Sequence, residues 1–296
     1  MNFYISTAYL PVAEIHHIAR AADRLGYRGL AIPEHVVNFA EQTTPYPYTR
    51  DGATRWDPFT PWPDPWVLIG SLSQCTEHLR FVTTVSVPAL RDPFTAAKSI
   101  GTAALISAGR VELGVGVGWN KDEFELLGAD FEGRGRRTDE MLTLMRSLWA
   151  PGWTEFDGEM YSTPRIEMSP SPPHVPIYVG GLSARALRRA AFNDGWIGDL
   201  TTTAAAIQVA GTLAELRRSL GREDHDFTII APLTDALSVD DYRTAERGGI
   251  TDILTMPWMF YSGANSSTEQ KIAGMERFVA DIVTPLQRKG GRAQLL

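Results

Sequence analysis

Three glycines recur at every second position near the middle of the chain, and this spacing could serve a flat cofactor. In an extended strand side chains alternate between faces, so Gly114, Gly116 and Gly118 would leave one face as bare backbone. Such a face costs stability and is typical of a place where something approaches the backbone closely. The segment predicts contact with an aromatic cofactor ring, and a tight packing contact or a narrow barrel corner is the alternative. Its spacing differs from the dinucleotide-binding fingerprint.

A histidine that could move a proton follows the second predicted strand. His35 comes directly after Pro33 and Glu34, and an imidazole changes its protonation near neutral pH, so it suits general acid or base catalysis. Because the position is the end of a strand, we predict a site role for His35. A hydrogen-bonded structural histidine is the alternative. The other histidines lack metal-ligand spacing, and the sequence predicts no metal site.

A possible phosphate site lies further along the chain. Gly180 and Gly181 join a predicted strand to a predicted helix, and Ser183 is a good helix N-cap. Free backbone N–H groups at a helix start, with glycines that allow close approach, form an anion site suited to phosphate. An ordinary capped glycine turn is the alternative. Arg137 could add a guanidinium to the same phosphate, whereas the other two arginines of the run 134–137 are more typical of a solvated helix start.

The composition argues against several classes of function. The chain of 296 residues has a net charge of -7, which argues against a nucleic-acid or membrane surface. A single cysteine, Cys75, excludes an intrachain disulfide framework and fits a reducing compartment. No charged leader or long apolar span is found, so we predict a cytoplasmic protein. Hydrolysis and phosphoryl transfer are poorly supported because neither a Ser-His-Asp arrangement nor a nucleotide-hydrolase phosphate loop is found.

Alternating strands and helices must hold these residues. Eight strand-then-helix units follow one another, which predicts an α/β fold, a (β/α)8 TIM barrel, in a single domain of residues 1–296. Two insertions interrupt the alternation, at about 34–64 and 151–176. The first is rich in proline and aromatic residues and too long for a routine connection, so it is a candidate lid. In such a barrel, function belongs at the C-terminal ends of the strands.

Several segments match one family, in one order and over almost the whole chain. They are IPEHVV at 32–37, PYPY at 45–48, LRDP at 90–93, GRVELGVGVGW at 109–119, RRTDE at 136–140 and PIYVGG at 176–181. With these segments the chain resembles the luciferase-like monooxygenase superfamily, and within it the branch that depends on the deazaflavin coenzyme F420.

The resemblance implies a homodimer of bacterial luciferase-like barrels, with the (deaza)isoalloxazine ring over each barrel mouth. It implies a non-prolyl cis peptide bond at Thr84–Val85 behind the ring, and His35 beside the reactive centre of the ring. It also implies a phosphate loop at Gly180–Gly181 with Arg137 nearby. The predicted cofactor-binding residues are Thr84, Val85, Gly116, Gly118, Asn120, Arg137, Gly180, Gly181, Leu182 and Ser183.

Together these expectations predict an oxidoreductase that moves a hydride between coenzyme F420 and a small, apolar organic substrate, with His35 as proton donor or acceptor. Trp56 and Trp62 of the lid, together with Trp119, would contact the substrate. Packing of the lid without any substrate role is the alternative. In the related sugar-phosphate dehydrogenase, a glutamate acts where this chain has Trp119 and Asn120, so sugar-phosphate oxidation is not expected.

Two other functions stay open at this stage. The first is an FMN-dependent monooxygenase that uses oxygen and reduced flavin. The second is a non-catalytic flavin-binding protein. For either cofactor, a reductase or dehydrogenase that supplies the reduced form is the expected partner, and no nucleic-acid or membrane partner is expected.

Overall fold

The centre of the structure, a computed structural model that describes residues 1–288, is a closed barrel of parallel strands. In chain order the strands are β1 Asn2–Ser6, β2 Gly29–Ile32, β3 Arg80–Thr83, β4 Val111–Val115, β5 Thr154–Asp157, β6 Ser162–Ile166, β7 Ile177–Gly180, β8 Gly195–Ile197, β9 Thr228–Ala231 and β10 Asp252–Thr255. β5 and β6 form a separate antiparallel hairpin within the predicted insertion 151–176. The other eight strands close the barrel, with β1 paired to both β2 and β10. The predicted (β/α)8 fold is confirmed.

Helices pack around the barrel and alternate with its strands. They are α1 Val12–Leu25, α2 Pro65–Leu72, α3 Pro93–Ile106, α4 Lys121–Leu126, α5 Arg134–Trp149, α6 Ala184–Phe192, α7 Thr203–Ser219, α8 Val239–Arg247, α9 Thr268–Phe278 and α10 Thr284–Arg288. Asp64 and Asp92 begin α2 and α3 by accepting hydrogen bonds from first-turn N–H groups. None of the described helices has both the length and the apolar character needed to span a membrane. Residues 289–296 of the predicted single domain lie outside the described residues, and the single-domain assignment stays a prediction.

Side chains fill the interior of the barrel. At its N-terminal end Glu112 is fully buried and accepts a hydrogen bond from the hydroxyl of Tyr4 at 2.6 Å. The same carboxylate pairs with the guanidinium groups of Arg28 and Arg80. Above this polar cluster the interior is apolar and aromatic, and it contains Tyr4, Ala31, Val82, Tyr178, Ile197 and Ile230. The barrel interior is therefore a packed core, and in a barrel of this kind a site is expected at the C-terminal mouth.

The glycine segment differs from the expected single extended strand. Gly118 lies beyond the end of β4 and has a φ of 81°, so it does not continue the glycine face. The space beside Gly114 is filled by the protein, because a Cβ there would lie 1.9 Å from the carbonyl oxygen of Thr83. A Cβ on Gly116 would lie 2.7 Å from Cγ2 of Val85. These two glycines are thus required by tight packing against the end of β3.

The predicted lid, residues 34–64, has no helix or strand and crosses the C-terminal end of the barrel. We call this segment the strap. Asp122 in α4 anchors its first half by accepting hydrogen bonds from the backbone N–H groups of Thr43 and Thr44, at 2.6 and 3.2 Å. A segment without regular structure must find partners elsewhere for its backbone groups, and the carboxylate supplies them here.

An arginine anchors the second half of the strap to the barrel. The two terminal nitrogens of Arg55 lie 2.7 and 2.8 Å from the two carboxylate oxygens of Asp199, which follows β8. Arg55 also donates to the carbonyl oxygen of Tyr48 at 2.8 Å. The hydrogen bond to the carboxylate raises the pKa of Arg55, so the guanidinium stays charged.

We expect Gly114→Ala to destabilise the protein without any added ligand. The new methyl group would meet backbone, which cannot move without disturbing the pairing of β3 with β4, and overpacking of this kind costs about 1–3 kcal/mol. Denaturant unfolding measures the loss. Gly211→Ala in α7 is the matched control, because its Cβ meets no atom within 4 Å, and it should gain about 0.5–1 kcal/mol. Equal stability of Gly114→Ala and wild type would contradict the packing explanation.

Arg55→Met should loosen the strap and leave the barrel folded. The change removes a partly exposed ion pair, whose contribution to global stability is only about 0–1 kcal/mol. Hydrogen–deuterium exchange should therefore become faster in peptides from the strap and stay the same in peptides from the barrel strands. Arg50→Met is the control, because Arg50 is exposed in the same strap and has no ion pair within the described chain. If exchange in the strap does not change in Arg55→Met, the pair of Arg55 with Asp199 does not hold the strap.

Candidate active site

His35 lies at the barrel mouth, under the strap and within a cluster of aromatic rings. The centroid of its ring is 4.6 Å from that of Trp56, 5.4 Å from that of Trp62 and 6.2 Å from that of Trp119. Tyr46 completes the cluster by packing edge-on against Trp56 and Trp119. The side chain of His35 keeps 15% of its surface exposed. The structure thus brings together the predicted proton donor or acceptor and all three predicted substrate residues, whose roles stay predictions.

Glu123, in the first turn of α4, faces this histidine. Its Oε2 lies 3.9 Å from Nδ1 of His35, which is within the range of an ion pair and longer than a hydrogen bond. Its Oε1 accepts hydrogen bonds from the backbone N–H groups of Val36 and Val37, at 2.7 and 3.4 Å. Burial would raise the pKa of Glu123, but the imidazole and the two N–H groups outweigh it and hold this pKa below its usual value. A negative charge therefore lies beside His35.

A second buried carboxylate precedes the histidine in the chain. Glu34 is 8% exposed, and its Oε1 pairs with the guanidinium of Arg91. Burial raises the pKa of Glu34, and the guanidinium opposes that rise only in part. A second buried carboxylate therefore lies near the mouth, with its pKa above the usual value.

The peptide bond between Thr84 and Val85 is cis, as the family resemblance implies. It follows β3 directly, and the side chain of Val85 packs between two glycines of neighbouring strand ends. A Cβ on Gly116 would lie 2.7 Å from Cγ2 of Val85, and a Cβ on Gly180 would lie 3.1 Å from Cγ1. Four of the predicted cofactor-binding residues therefore lie together behind the mouth.

The loop between β7 and α6 has the geometry of an anion site. Gly181 has a φ of 110°, which L side chains rarely adopt, and its carbonyl oxygen accepts a hydrogen bond from Nε1 of Trp196 at 2.9 Å. Ser183 caps α6 by accepting from the N–H of Ala186 at 3.2 Å, and Leu182 is exposed beside it. The first N–H groups of a helix have no partner within the helix and point towards its start. Phosphate binding by this loop stays a prediction.

The arginines after the glycine segment make contacts within the protein. Arg137 donates to the carbonyl oxygen of Asp130 at 2.6 Å and lies 3.5 Å from the carboxylate of that residue. Within the described chain it has no hydrogen bond to the loop 180–183. Arg134, expected at a solvated helix start, instead donates to the carbonyl oxygen of Gly118 at 2.8 Å. It therefore holds the chain where it leaves the glycine segment.

Buried polar atoms without partners concentrate at the mouth. Of the five such side-chain atoms in residues 1–288, three belong to the mouth, namely Oε2 of Glu34, Nε1 of Trp62 and Oδ1 of Asn120. Buried groups without a partner are rare in folded proteins, and each of these can bind a complementary group on a ligand. No group of three metal-binding side chains is found in the same part of the chain.

No pattern in the sequence indicated a role for Glu123, Arg91 or Arg55, although all three hold groups at the mouth. Acidic residues in the first turn of a helix, such as Glu123, are expected for the helix dipole alone. Arg91 lies in a segment used only for the family resemblance. The sequence does show that charged residues occur near the strand ends and in the strap. It does not show which of these residues pair with one another.

A family comparison agrees with this geometry. The sequence profile of the luciferase-like monooxygenase family matches residues 4–267. An uncharacterised protein of Mycobacterium tuberculosis is 32% identical over 280 residues, which cover 94% of this chain and 95% of that protein. The profile match extends from the first strand well beyond the loop that precedes α6.

Solved structures share the barrel. Monooxygenase RslO1 from Streptomyces bottropensis has a TM-score of 0.75 at 17% identity, over 96% of this chain and 99% of that chain. The coenzyme F420-dependent tetrahydromethanopterin reductase from Methanopyrus kandleri has a TM-score of 0.73 at 13% identity, over 96% and 99%. At such identities the likeness shows the fold alone, and the structural neighbours include both F420-dependent and FMN-containing enzymes. On the evidence of the family profile, which covers most of its length, this chain belongs to the luciferase-like monooxygenase family of oxidoreductases.

Proposed function

We propose that this protein is an oxidoreductase that transfers a hydride between coenzyme F420 and a small, apolar organic molecule. The aromatic cluster around His35 carries the proposal, because it surrounds one ionisable ring with aromatic side chains at the barrel mouth. Trp56, Trp62 and Trp119 would contact the substrate. The aromatic side chains cannot replace the hydrogen bonds to water that a strongly polar molecule loses on binding, so they favour apolar or aromatic substrates.

The residues at the mouth fit a cofactor of this shape. The loop from Gly180 to Ser183, with the first turn of α6, offers N–H donors to a phosphate. Val85, seated against Gly116, offers an apolar surface to one face of a planar ring. Oδ1 of Asn120 is a buried acceptor without a partner in residues 1–288 and can receive an N–H group of the ring. The remaining members of the proposed cofactor site are Thr84, Gly118 and Arg137.

Coenzyme F420 supplies or accepts the hydride when it is bound. The side chains of this protein would orient the substrate, exclude water and handle the proton. His35 would donate a proton to the substrate or remove one from it, because its ring is the ionisable group that the aromatic side chains surround. The strap would exclude water, because its aromatic side chains cover the histidine.

An FMN-dependent monooxygenase is the second candidate, because FMN also carries a three-ring system and a phosphate, and several structural neighbours are monooxygenases. A deazaflavin has carbon at ring position 5, where a flavin has nitrogen, and it transfers hydride without activating oxygen, so the identity of the cofactor decides the reaction. A partner enzyme would supply the reduced cofactor in either case. The homodimeric state belongs to the same proposal and is supported by the family resemblance.

Parallel titration of the purified protein with F420 and with FMN, each oxidised and reduced, tests the proposed cofactor. We expect F420 to bind at least about tenfold more tightly than FMN, a difference of roughly 1.4 kcal/mol. Cofactor fluorescence measures the binding. Preference for reduced FMN would overturn the first proposal in favour of the monooxygenase, and failure to bind either cofactor would overturn both.

Gly181→Ala should weaken binding of the preferred cofactor by about tenfold or more. The substituted residue would have to keep a φ of 110°, with its Cβ 3.1 Å from that of Ala186, or else displace the N–H groups that form the anion site. Gly152→Ala is the matched control, because Gly152 also has a positive φ, of 94°, but lies in the turn between α5 and β5. It should leave the affinity unchanged. Wild-type affinity in Gly181→Ala would remove the phosphate role of this loop.

A further inference from the structure

One carboxylate contacts both the candidate proton donor or acceptor and the start of the strap. Glu123 is 4% exposed, and its two oxygens face different partners. Oε1 accepts hydrogen bonds from the N–H groups of Val36 and Val37, while Oε2 lies 3.9 Å from Nδ1 of His35. The first two strap residues after the histidine are therefore fixed by the same side chain that faces its ring.

We propose that Glu123 is a positioning residue that fixes the tautomer of His35, with the ring hydrogen on Nδ1. The importance of this tautomer for the reaction rests on the proposed function of His35. An ionised carboxylate only accepts hydrogen bonds, so the ring nitrogen that faces it is the one that carries the hydrogen. Nε2 of the neutral ring then keeps its lone pair and is free to take a proton from a substrate.

The other neighbours of His35 do not select a tautomer. The three tryptophans contact the ring through their aromatic surfaces and edges. Glu34 directs one oxygen to the guanidinium of Arg91. Neither ring nitrogen of His35 has a hydrogen bond within residues 1–288, and Glu123 is the one acidic group in ion-pair range there.

A carboxylate is required at this position because both of its oxygens act as acceptors. Oε1 accepts from the backbone N–H groups of Val36 and Val37, and Oε2 faces the ring hydrogen of His35. Glutamine has nearly the same shape but a single acceptor oxygen. In Glu123→Gln the amide oxygen keeps the hydrogen bonds from the N–H groups of Val36 and Val37, so the amide NH2 group faces His35. The amide donates to Nδ1, and the ring hydrogen moves to Nε2. The substitution therefore changes the acceptor pattern and preserves the packing.

Nitrogen-15 NMR of the histidine-labelled protein reads the tautomer directly, without cofactor and at a pH at which the rings are neutral. The signals of His35 are those lost in His35→Ala. We expect the Nδ1–H tautomer in the wild type and the Nε2–H tautomer in Glu123→Gln. Glu125→Gln is the matched control, because Glu125 lies on the same helix and pairs at the surface with Lys121. It should keep the wild-type signals.

Two results would overturn the proposal, namely an Nε2–H tautomer in the wild type or an unchanged tautomer in folded Glu123→Gln. Denaturant unfolding shows whether the variant folds. If it does not, the wild-type spectrum decides alone, because an Nδ1–H tautomer supports the proposal and an Nε2–H tautomer overturns it.

Turnover separates this inference from the proposed function. For any substrate that the wild-type enzyme turns over, Glu123→Gln should lower kcat by about 10²-fold with little change in KM, since acid–base catalysis contributes about 10²- to 10⁴-fold. A changed tautomer with an unchanged kcat would preserve the positioning role of Glu123 and remove His35 from the reaction. Failure of the cofactor titration would leave the tautomer result untouched, because NMR uses the protein alone.

Discussion

The side chain of Val85 fills the space that two glycines leave open, and the barrel mouth depends on this contact. Gly116 follows β4 and Gly180 ends β7, so the segment after β3 can pack between two strand ends. Further into the barrel, the carbonyl oxygen of Thr83 occupies the space that a Cβ on Gly114 would need. Glycine within a strand costs stability, and here that cost is offset by the close fit of three neighbouring strands. Any side chain added at these points would displace the surface proposed to support the cofactor ring.

The strap covers the mouth and is anchored to the rest of the chain by a few polar contacts. Its backbone forms no sheet or helix, so its N–H groups need acceptors from other parts of the chain. Asp122 and Glu123 supply them from adjacent positions at the start of α4, and Asp199 pairs with Arg55 at the opposite end. Between these anchors, tryptophan and tyrosine rings pack over His35. A few polar anchors and this aromatic packing therefore hold a long segment that has no regular structure.

The alternation of strands and helices was sufficient to predict the barrel, because each unit has its own local pattern. Local patterns also placed His35 and the aromatic residues at the mouth. Periodicity failed at Gly118, where the alternation continues although the strand has ended and the backbone takes a positive φ. The pair Arg55 and Asp199 joins positions 144 residues apart, and no local rule connects them. The contact of Glu123 with His35 could not be predicted either, because these residues are distant in the chain and meet only in the packed fold.

The two ends of the barrel differ in how well their buried polar groups are matched. At the N-terminal end Glu112 receives the hydroxyl of Tyr4 and pairs with two guanidinium groups. At the mouth, Glu34 and Asn120 each bury an acceptor atom that has no partner in the described chain. The two unmatched arginine atoms lie near the end of α7, outside the barrel interior. Selection for stability alone favours buried polar groups that have partners, as at the N-terminal end, over buried polar groups that lack them, as at the mouth. This physical asymmetry favours the mouth as the binding end, independently of any likeness to other proteins.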